Sequence, residues 1–367
     1  MNFNKPKKYF KKAREDQNLS IEEVANRSNI HVDTLKLYEK NQKVLEEEHY
    51  VILKPLLHLE QFNEHDIYKD YYPLYLWDCL SLKPYENSFS LSFIQWIKKG
   101  FNTLWLAIKN DRVFKQLMII LLITAFLAGL TEQLAVQTLV NSAFIPVGLS
   151  ILMYTYTKEK NLKGFDAVKL FIYGGLAGMA LVYIIREFTG FYDGFAGDVV
   201  TGIVEEFAKV MIVMYALHRF KVQTVKGGIL IGFLIGAGFD AFETADYAIW
   251  AFMDTFDYQF MHEVINIRSA FALFGIGHHF WTAILAGTLV YIKKTETPKF
   301  KDLLNITFIQ MFIVVVLVHA LWNFSANYNY LFSIGVAFVS FVIFLLFLRH
   351  ANVEEDDNNH MILIDLK

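Results

Sequence analysis

Only one cysteine, Cys79, occurs in the 367 residues. That excludes an intramolecular disulfide and any metal site built from several thiolates. Charge is also scarce: 19% of residues are charged against 54% hydrophobic, too apolar a balance for an ordinary soluble domain. No apolar leader follows Met1. Lys5, Lys7 and Lys8 come first, then a polar helical pattern, so no secretory signal is read and the N-terminus is expected to stay cytosolic. A His-Glu-x-x-His motif is missing as well, and any metal chemistry must rest on another arrangement. The net charge of −3 selects no class of partner.

The few charges are unevenly spread. They crowd into residues 1–88, and from about Val113 one apolar run follows another, each near the ~20 residues that a spanning helix needs. The expected fold class is therefore all-α: a polytopic membrane protein with about eight transmembrane helices and a small N-terminal cytosolic domain. The spans are read at 113–130, 134–156, 167–185, 198–218, 227–251, 269–292, 303–323 and 330–348. The domains are a head over 1–60, a junction over 61–112, a membrane domain over 113–350 and an acidic tail over 351–367. In the junction, Phe93, Ile97, Phe101, Leu104 and Ile108 share one helical face, as in a helix lying in the inner membrane interface.

Lysine and arginine orient the spans. Lys109, Arg112 and Lys115 precede the first; Lys158, Lys160 and Lys163 lie between the second and third. Arg219, Lys221 and Lys226 follow the fourth, and Lys293, Lys294, Lys299 and Lys301 the sixth. The alternate loops are poor in basic residues. Both termini are therefore expected in the cytosol, in a plasma-membrane protein.

Inside the apolar runs stand ionisable groups. Glu205 and Glu206 are adjacent in the fourth span, Glu243 is in the fifth, His278 and His279 in the sixth and His319 in the seventh. A carboxylate near the bilayer centre costs roughly 2.5–3.5 kcal/mol on insertion scales, so such groups need a compensating reason. With the orientation above and a rise of 1.5 Å per residue, Glu205, Glu243, His278 and His319 fall roughly 6–14 Å below the outer edge. Independent structural residues have no reason to agree in depth; one shared site does. Carboxylates and imidazoles are also the groups that activate water or bind a hydrolytic metal.

The head has its own signals. Ser20 with Glu23 forms a capping box ahead of Ile21, Val24 and Ala25, and after a break at Ser28–Ile30 a second helix begins near His31, packed through Leu35 and Tyr38. With Glu39 near the end of the third helix, the segment resembles the Cro/repressor type of helix-turn-helix and is similar to the cytosolic domain of RodZ-like proteins. That resemblance implies a protein partner or DNA as ligand of residues 1–60. Val32 and Leu37 cannot hydrogen-bond base edges and Asp33 repels phosphate, which favours protein over sequence-specific DNA.

Four short patterns stand in order on successive spans: Glu205-Glu206-x-x-Lys209, Phe239-x-x-x-Glu243, His278-x-x-x-Thr282 and His319-x-x-x-Asn323. Together they resemble the PrsW family of intramembrane proteases, relatives of the CAAX- and bacteriocin-processing enzymes. Lys209 and Glu243, where CAAX-type relatives usually carry arginine and histidine, favour the PrsW branch. His279 and the head depart from the usual pattern. The resemblance implies an intramembrane endopeptidase that cleaves a membrane-protein substrate near the outer face, in regulated proteolysis.

Physical reasoning gives the residues roles. Adjacent helical residues point about 100° apart, so one of Glu205 and Glu206 faces the site and the other a partner. Lys209, four and three residues on, is placed to neutralise one of them. Glu243 is suited to proton transfer on attacking water or leaving amine. His278 and His319, with Glu243, are expected either to bind a divalent metal such as zinc or to polarise the substrate carbonyl without one. Asn323 can donate to an oxyanion or make an interhelical hydrogen bond. His279 is read as a packing residue behind the site, and Asp240 as a further acid that could line it. Two rival readings are a proton-coupled transporter, which paired broken helices or inverted repeats would support, and a catalytically inert membrane regulator.

Overall fold

The computed structural model describes residues 9–39, 47–59, 97–98, 109, 112–131, 133–157, 159, 161–190, 193–222, 224–292, 298–326 and 330–365. Among these every regular element is helical, and no strand occurs. All of the interfacial helix expected around 89–109 except residues 97, 98 and 109 lies outside the described residues. The chain divides into two compact units, one holding the described residues up to 59 and the other those from 97 onward.

The described residues of the first unit form four short helices: α1 (Tyr9–Asp16), α2 (Ile21–Ser28), α3 (Val32–Glu39) and α4 (Glu47–Leu56). The capping box forms as the sequence predicts. Glu23 N donates to Ser20 Oγ at 3.1 Å, and Ser20 N donates to Glu23 Oε2 at 2.7 Å. Asn29 ends α2 in the left-handed region at φ 58°. Phe10, Val24, Leu35, Tyr38 and Leu53 close a small core. Arg14 clamps α1 to α3: its Nε donates to Glu39 Oε1 at 2.5 Å and Nη2 to Oε2 at 3.2 Å. That bond holds the guanidinium pKa above its ordinary value.

The second unit runs α5 (Arg112–Gly129), α6 (Leu134–Thr157), α7 (Gly164–Thr189), α8 (Gly194–Phe220), α9 (Val225–Thr255), α10 (Tyr258–Leu273), α11 (His278–Ile292), α12 (Ile306–Ser325) and α13 (Tyr330–Asp365). Helix α7 contains a π turn over Leu170–Gly174. Six stretches are long and apolar enough to cross a membrane, counting α10 and α11 as one. This is an integral membrane protein. The other two expected spans correspond to α5, whose apolar stretch Val113–Gly129 is shorter, and to α8, where Glu205, Glu206 and Lys209 interrupt the apolar run.

Helix α9 is the centre of the unit: 89% of its apolar stretch is buried, and it packs on α6, α7, α10 and, most extensively, α11. Glycine makes the α9–α11 approach possible. A Cβ at Gly236 would stand 2.6 Å from His279 Cα, closer than any side chain tolerates.

Several boundaries differ from expectation, the largest at the last span, where α13 runs on to Asp365 through the segment expected to be a separate acidic tail. Helix α9 continues to Thr255 rather than ending near 251. The sixth span, read as one helix over 269–292, is broken: α10 ends at Leu273 and α11 starts at His278. Gly275 turns the chain there at φ +111°, a conformation that L-residues rarely adopt. His278 is therefore the first residue of a half-helix, not a residue two turns into a continuous one. This is one broken helix, where the transporter reading called for a pair.

Candidate active site

Glu206 is the hub. On α8 and fully buried, its Oε1 accepts from Lys209 Nζ at 2.9 Å and from His319 Nδ1 at 2.9 Å, and lies 3.4 Å from His278 Nδ1. Lys209 thus neutralises Glu206, its i−3 neighbour, rather than Glu205. Its ammonium also contacts His278 Nδ1 and sits 4.2 Å over the Phe239 ring. The cation is fully buried, and carboxylate, imidazole and aromatic face together replace its hydration.

Glu205, about 100° round the helix, faces the other way, into a cavity of about 40 Å³. On this measure that space admits roughly three waters. Glu205 Oε2 is buried without a hydrogen-bond partner. It lies 3.8 Å from His278 Nε2 and 3.7 Å from His319 Nε2. Both imidazoles turn their Nδ1 atoms toward Glu206 and their Nε2 atoms toward Glu205. Aromatic rings fix them in that attitude: His319 stacks on Trp281 at 4.6 Å, and His278 meets Phe239 edge-on at 4.7 Å.

Glu243 closes the cavity on the α9 side. Its Oε2 is 3.1 Å from His278 Nε2 and pairs with Arg268 Nη2. Arg268 Nε donates to Thr244 Oγ1 at 3.0 Å, and the guanidinium lies 4.5 Å over the Tyr247 ring. Arg268 is not among the site residues read from the sequence; it stands immediately before the sixth span as read, where a charge passes for a loop residue. The available signal was Asp257, which caps α10 by accepting from Gln259 N at 2.8 Å, ahead of Met261, Ile265 and Ala272 on the helix's buried face. A capped amphipathic helix carries Arg268 into the site.

Among the other expected residues, Asn323 lines the same cavity one turn from His319 and is half-buried. Asp240 also lines it, but its oxygens accept from the backbone N–H groups of His278 at 2.9 Å and His279 at 3.3 Å. His279 sits behind the site, bonded to Asp240 through Nδ1 and 3.2 Å from Ala272 O through Nε2. A further acid on α9, Asp246, does not line the cavity and accepts from Tyr183 Oη at 3.0 Å.

Among the described residues two groups could hold a metal ion: the buried Glu205, His278 and His319, and Asp240 and His278 with the half-buried Glu243, the ligand atoms in each lying within 4.8 Å of one another. In the first, Glu205 takes the place expected of Glu243. The fit is chemical as well as spatial. Glu205 Oε2 is a buried carboxylate oxygen with no hydrogen-bond partner, and ligand atoms ~2.1 Å from a tetrahedral zinc stand ~3.4 Å apart, close to the 3.7 and 3.8 Å found. Glu206 sits where a carboxylate behind metal-binding histidines fixes their tautomer. His319 is already arranged so. His278 is held differently: its Nδ1 meets the Lys209 ammonium, which can only donate, so Nε2 carries the proton and donates to Glu243, and His278 joins His319 only when Lys209 withdraws and Nδ1 carries the proton toward Glu206.

Residues 166–348 match the family model described as PrsW family intramembrane metalloprotease. The match spans just under half of the chain, from α7 into α13, and contains all the acidic and imidazole groups of the cavity. It supports a PrsW-type intramembrane protease. Neither a curated protein nor a solved structure matches the chain.

Proposed function

We propose, from the match to the PrsW family as premise, that this protein is an intramembrane endopeptidase whose active site is the cavity between α8, α9, α11 and α12. The observation that carries the reading is the unpartnered Glu205 Oε2 facing two imidazole Nε2 atoms. Its substrate is a membrane protein cleaved near the outer face, in regulated proteolysis. The alternation of lysine-rich and lysine-poor loops supports a plasma-membrane orientation with both termini cytosolic.

Glu205, His278 and His319 would hold a divalent metal such as zinc, which when bound supplies Lewis-acid polarisation of the scissile carbonyl and acidifies the attacking water. Glu206 orients both imidazoles, and Lys209 balances its charge. Glu243 receives the proton of the attacking water and passes it to the leaving amine. Arg268 holds that carboxylate against His278. Asn323 donates to the carbonyl oxygen as charge develops on it. The buried walls keep bulk water from competing with these groups.

In the head, Leu37 is 38% exposed on α3 and Asp33 beside it is exposed. An apolar and an acidic group on that surface favour docking on protein over docking on DNA.

The test is reconstitution of the purified protein with a panel of single-span substrates, in the wild type and in Glu205→Gln. Cleavage by the wild type alone supports the reading. A wild type that cleaves none of them but carries protons across a sealed liposome would establish the transporter instead.

A further inference from the structure

The pair Asp240–His279 is buried, bonded and idle in the chemistry proposed above. Both residues occupy unspecified positions within the motifs, Asp240 in Phe239-x-x-x-Glu243 and His279 in His278-x-x-x-Thr282. Asp240 lies three positions before Glu243, and His279 directly follows His278.

The pair occupies the break in the sixth span. A helix begins with backbone N–H groups that have no acceptor within it, and a polar side chain just before the first turn usually accepts from them. Here the residue before His278 is Gly277, which has no side chain. The acceptor comes from another helix: Asp240 on α9 takes the N–H of His278 at 2.9 Å and of His279 at 3.3 Å. His279 completes the brace. Its Nδ1 meets the same carboxylate, and its Nε2 reaches Ala272 O at 3.2 Å, in the last turn of α10. One imidazole thus links the end of one half-helix to the acid that caps the next. Phe233, at 4.9 Å between ring centroids, packs against it. Gly277 is required by the brace, because a Cβ there would stand 2.6 Å from His279 Nδ1 and 2.9 Å from Asp240 Oδ2.

We infer that Asp240 and His279 are positioning residues that fix the entry of α11, and with it the placement of His278. His278 depends on this more than a residue in mid-helix does. Its backbone N–H has no acceptor in its own helix, and its side chain must meet Glu206 through Nδ1 and Glu205 through Nε2. Without Asp240 two buried N–H groups lose their acceptor, and the half-helix relaxes to find others. A displacement of ~1 Å at a reacting group can cost ~100-fold in rate. The inference rests on the proteolytic reading of the same cavity.

The experiment compares wild type with Asp240→Ala, Asp240→Asn and His279→Phe in the full-length protein. It measures kcat and KM on a cleaved single-span substrate and, apart from turnover, the zinc dissociation constant and the melting temperature. Asp240→Ala is expected to lower kcat by about 100-fold with KM changed less than about threefold, and to weaken zinc by about 10–100-fold. Asn keeps an oxygen for the His278 N–H, so Asp240→Asn is expected to recover most of both. His279→Phe fills the ring's space without its nitrogens and should fall between. If Asp240→Ala does not fold, His279→Phe and Asp240→Asn decide on the same two readouts. Unchanged kcat and zinc affinity in the folded variants overturn the inference, as does a loss that follows melting temperature alone with zinc affinity intact. A wild type that neither cleaves nor binds zinc removes the functional reading and this inference with it. A wild type that does both while the variants match it removes the inference alone.

Discussion

His319 donates from Nδ1 to Glu206 Oε1 at 2.9 Å, and so turns its Nε2 toward Glu205, 3.7 Å away. One hydrogen bond across two helices thereby divides the work of two adjacent glutamates. Glu206 is structural support with a charge to be balanced, and Glu205 is the group offered to the cavity.

The division has consequences for stability. Removing Lys209 while leaving Glu206 strands a buried carboxylate whose other partners are imidazoles. Lys209→Met is expected to destabilise the folded protein by about 3–5 kcal/mol, the usual cost of breaking a buried pair on one side. Glu206→Gln combined with Lys209→Met leaves neither charge and should recover a substantial part of that loss. Unfolding by denaturant in a fixed detergent measures both. A double variant at least as unstable as Lys209→Met would show that Lys209 does not serve to balance Glu206.

Zinc content separates Glu205 from Glu243. Glu205→Ala and His319→Ala are each expected to release zinc from the purified protein, because each removes one ligand of a small set. Glu243→Gln should keep its zinc and lose at least about 100-fold in turnover, as expected for the removal of a general base. Metal analysis beside cleavage rates checks this. Zinc lost from Glu243→Gln but retained by Glu205→Ala would restore the triad of His278, His319 and Glu243. Cleavage by metal-free protein in strong chelator would leave the imidazoles polarising the carbonyl unaided.

How much of this is legible in the sequence differs by feature. Residue type and spacing bring the four motifs together, because a charged group in an apolar run has few ways to be satisfied and all of them lie in one interior. That Lys209 pairs with one of the two adjacent glutamates follows from helical geometry alone, and the structure selects Glu206. Which glutamate faces the cavity does not, since the rotation of α8 is set by its packing on α9, α11 and α12. The break before His278 is concealed for a different reason. Apolar residues continue on both sides of it, so periodicity sees one helix, and only Gly275 and Gly277 hint at an interruption. Arg268 was hidden by the same mechanism in reverse: a charge near a span end resembles a loop charge until the capped helix around it is recognised.

Arg268 itself should matter through Glu243. Arg268→Met removes the cation paired with that carboxylate and the hydrogen bond to Thr244, leaving Glu243 free to swing away from His278. Turnover is expected to fall about 10–100-fold with zinc content unchanged, since Arg268 touches none of the residues grouped with His319. Arg268→Lys should recover little, because an ammonium cannot reproduce the fork that spans Glu243 and Thr244. Equal activity of the Lys and wild-type proteins would reduce the role of Arg268 to charge alone.

The head offers a test of modularity. Every residue of the cavity lies at or beyond Ser142, and the four helices of the head close a core of their own through Phe10, Val24, Leu35 and Tyr38. Deleting residues 1–60 is therefore expected to leave cleavage of a model substrate within about threefold of the full chain while altering regulation or substrate choice. If the head instead reads DNA, its affinity must fall steeply with added salt as phosphate contacts release counterions, and selection from random sequence must converge on one site through base contacts. Exposed Leu37 on α3, with Asp33 beside it, favours weak binding without convergence and a protein surface as the real contact. One tight, recurrent operator would overturn that expectation. Complete loss of cleavage from a headless protein that still melts cooperatively and still binds zinc would show that the head acts on the site itself.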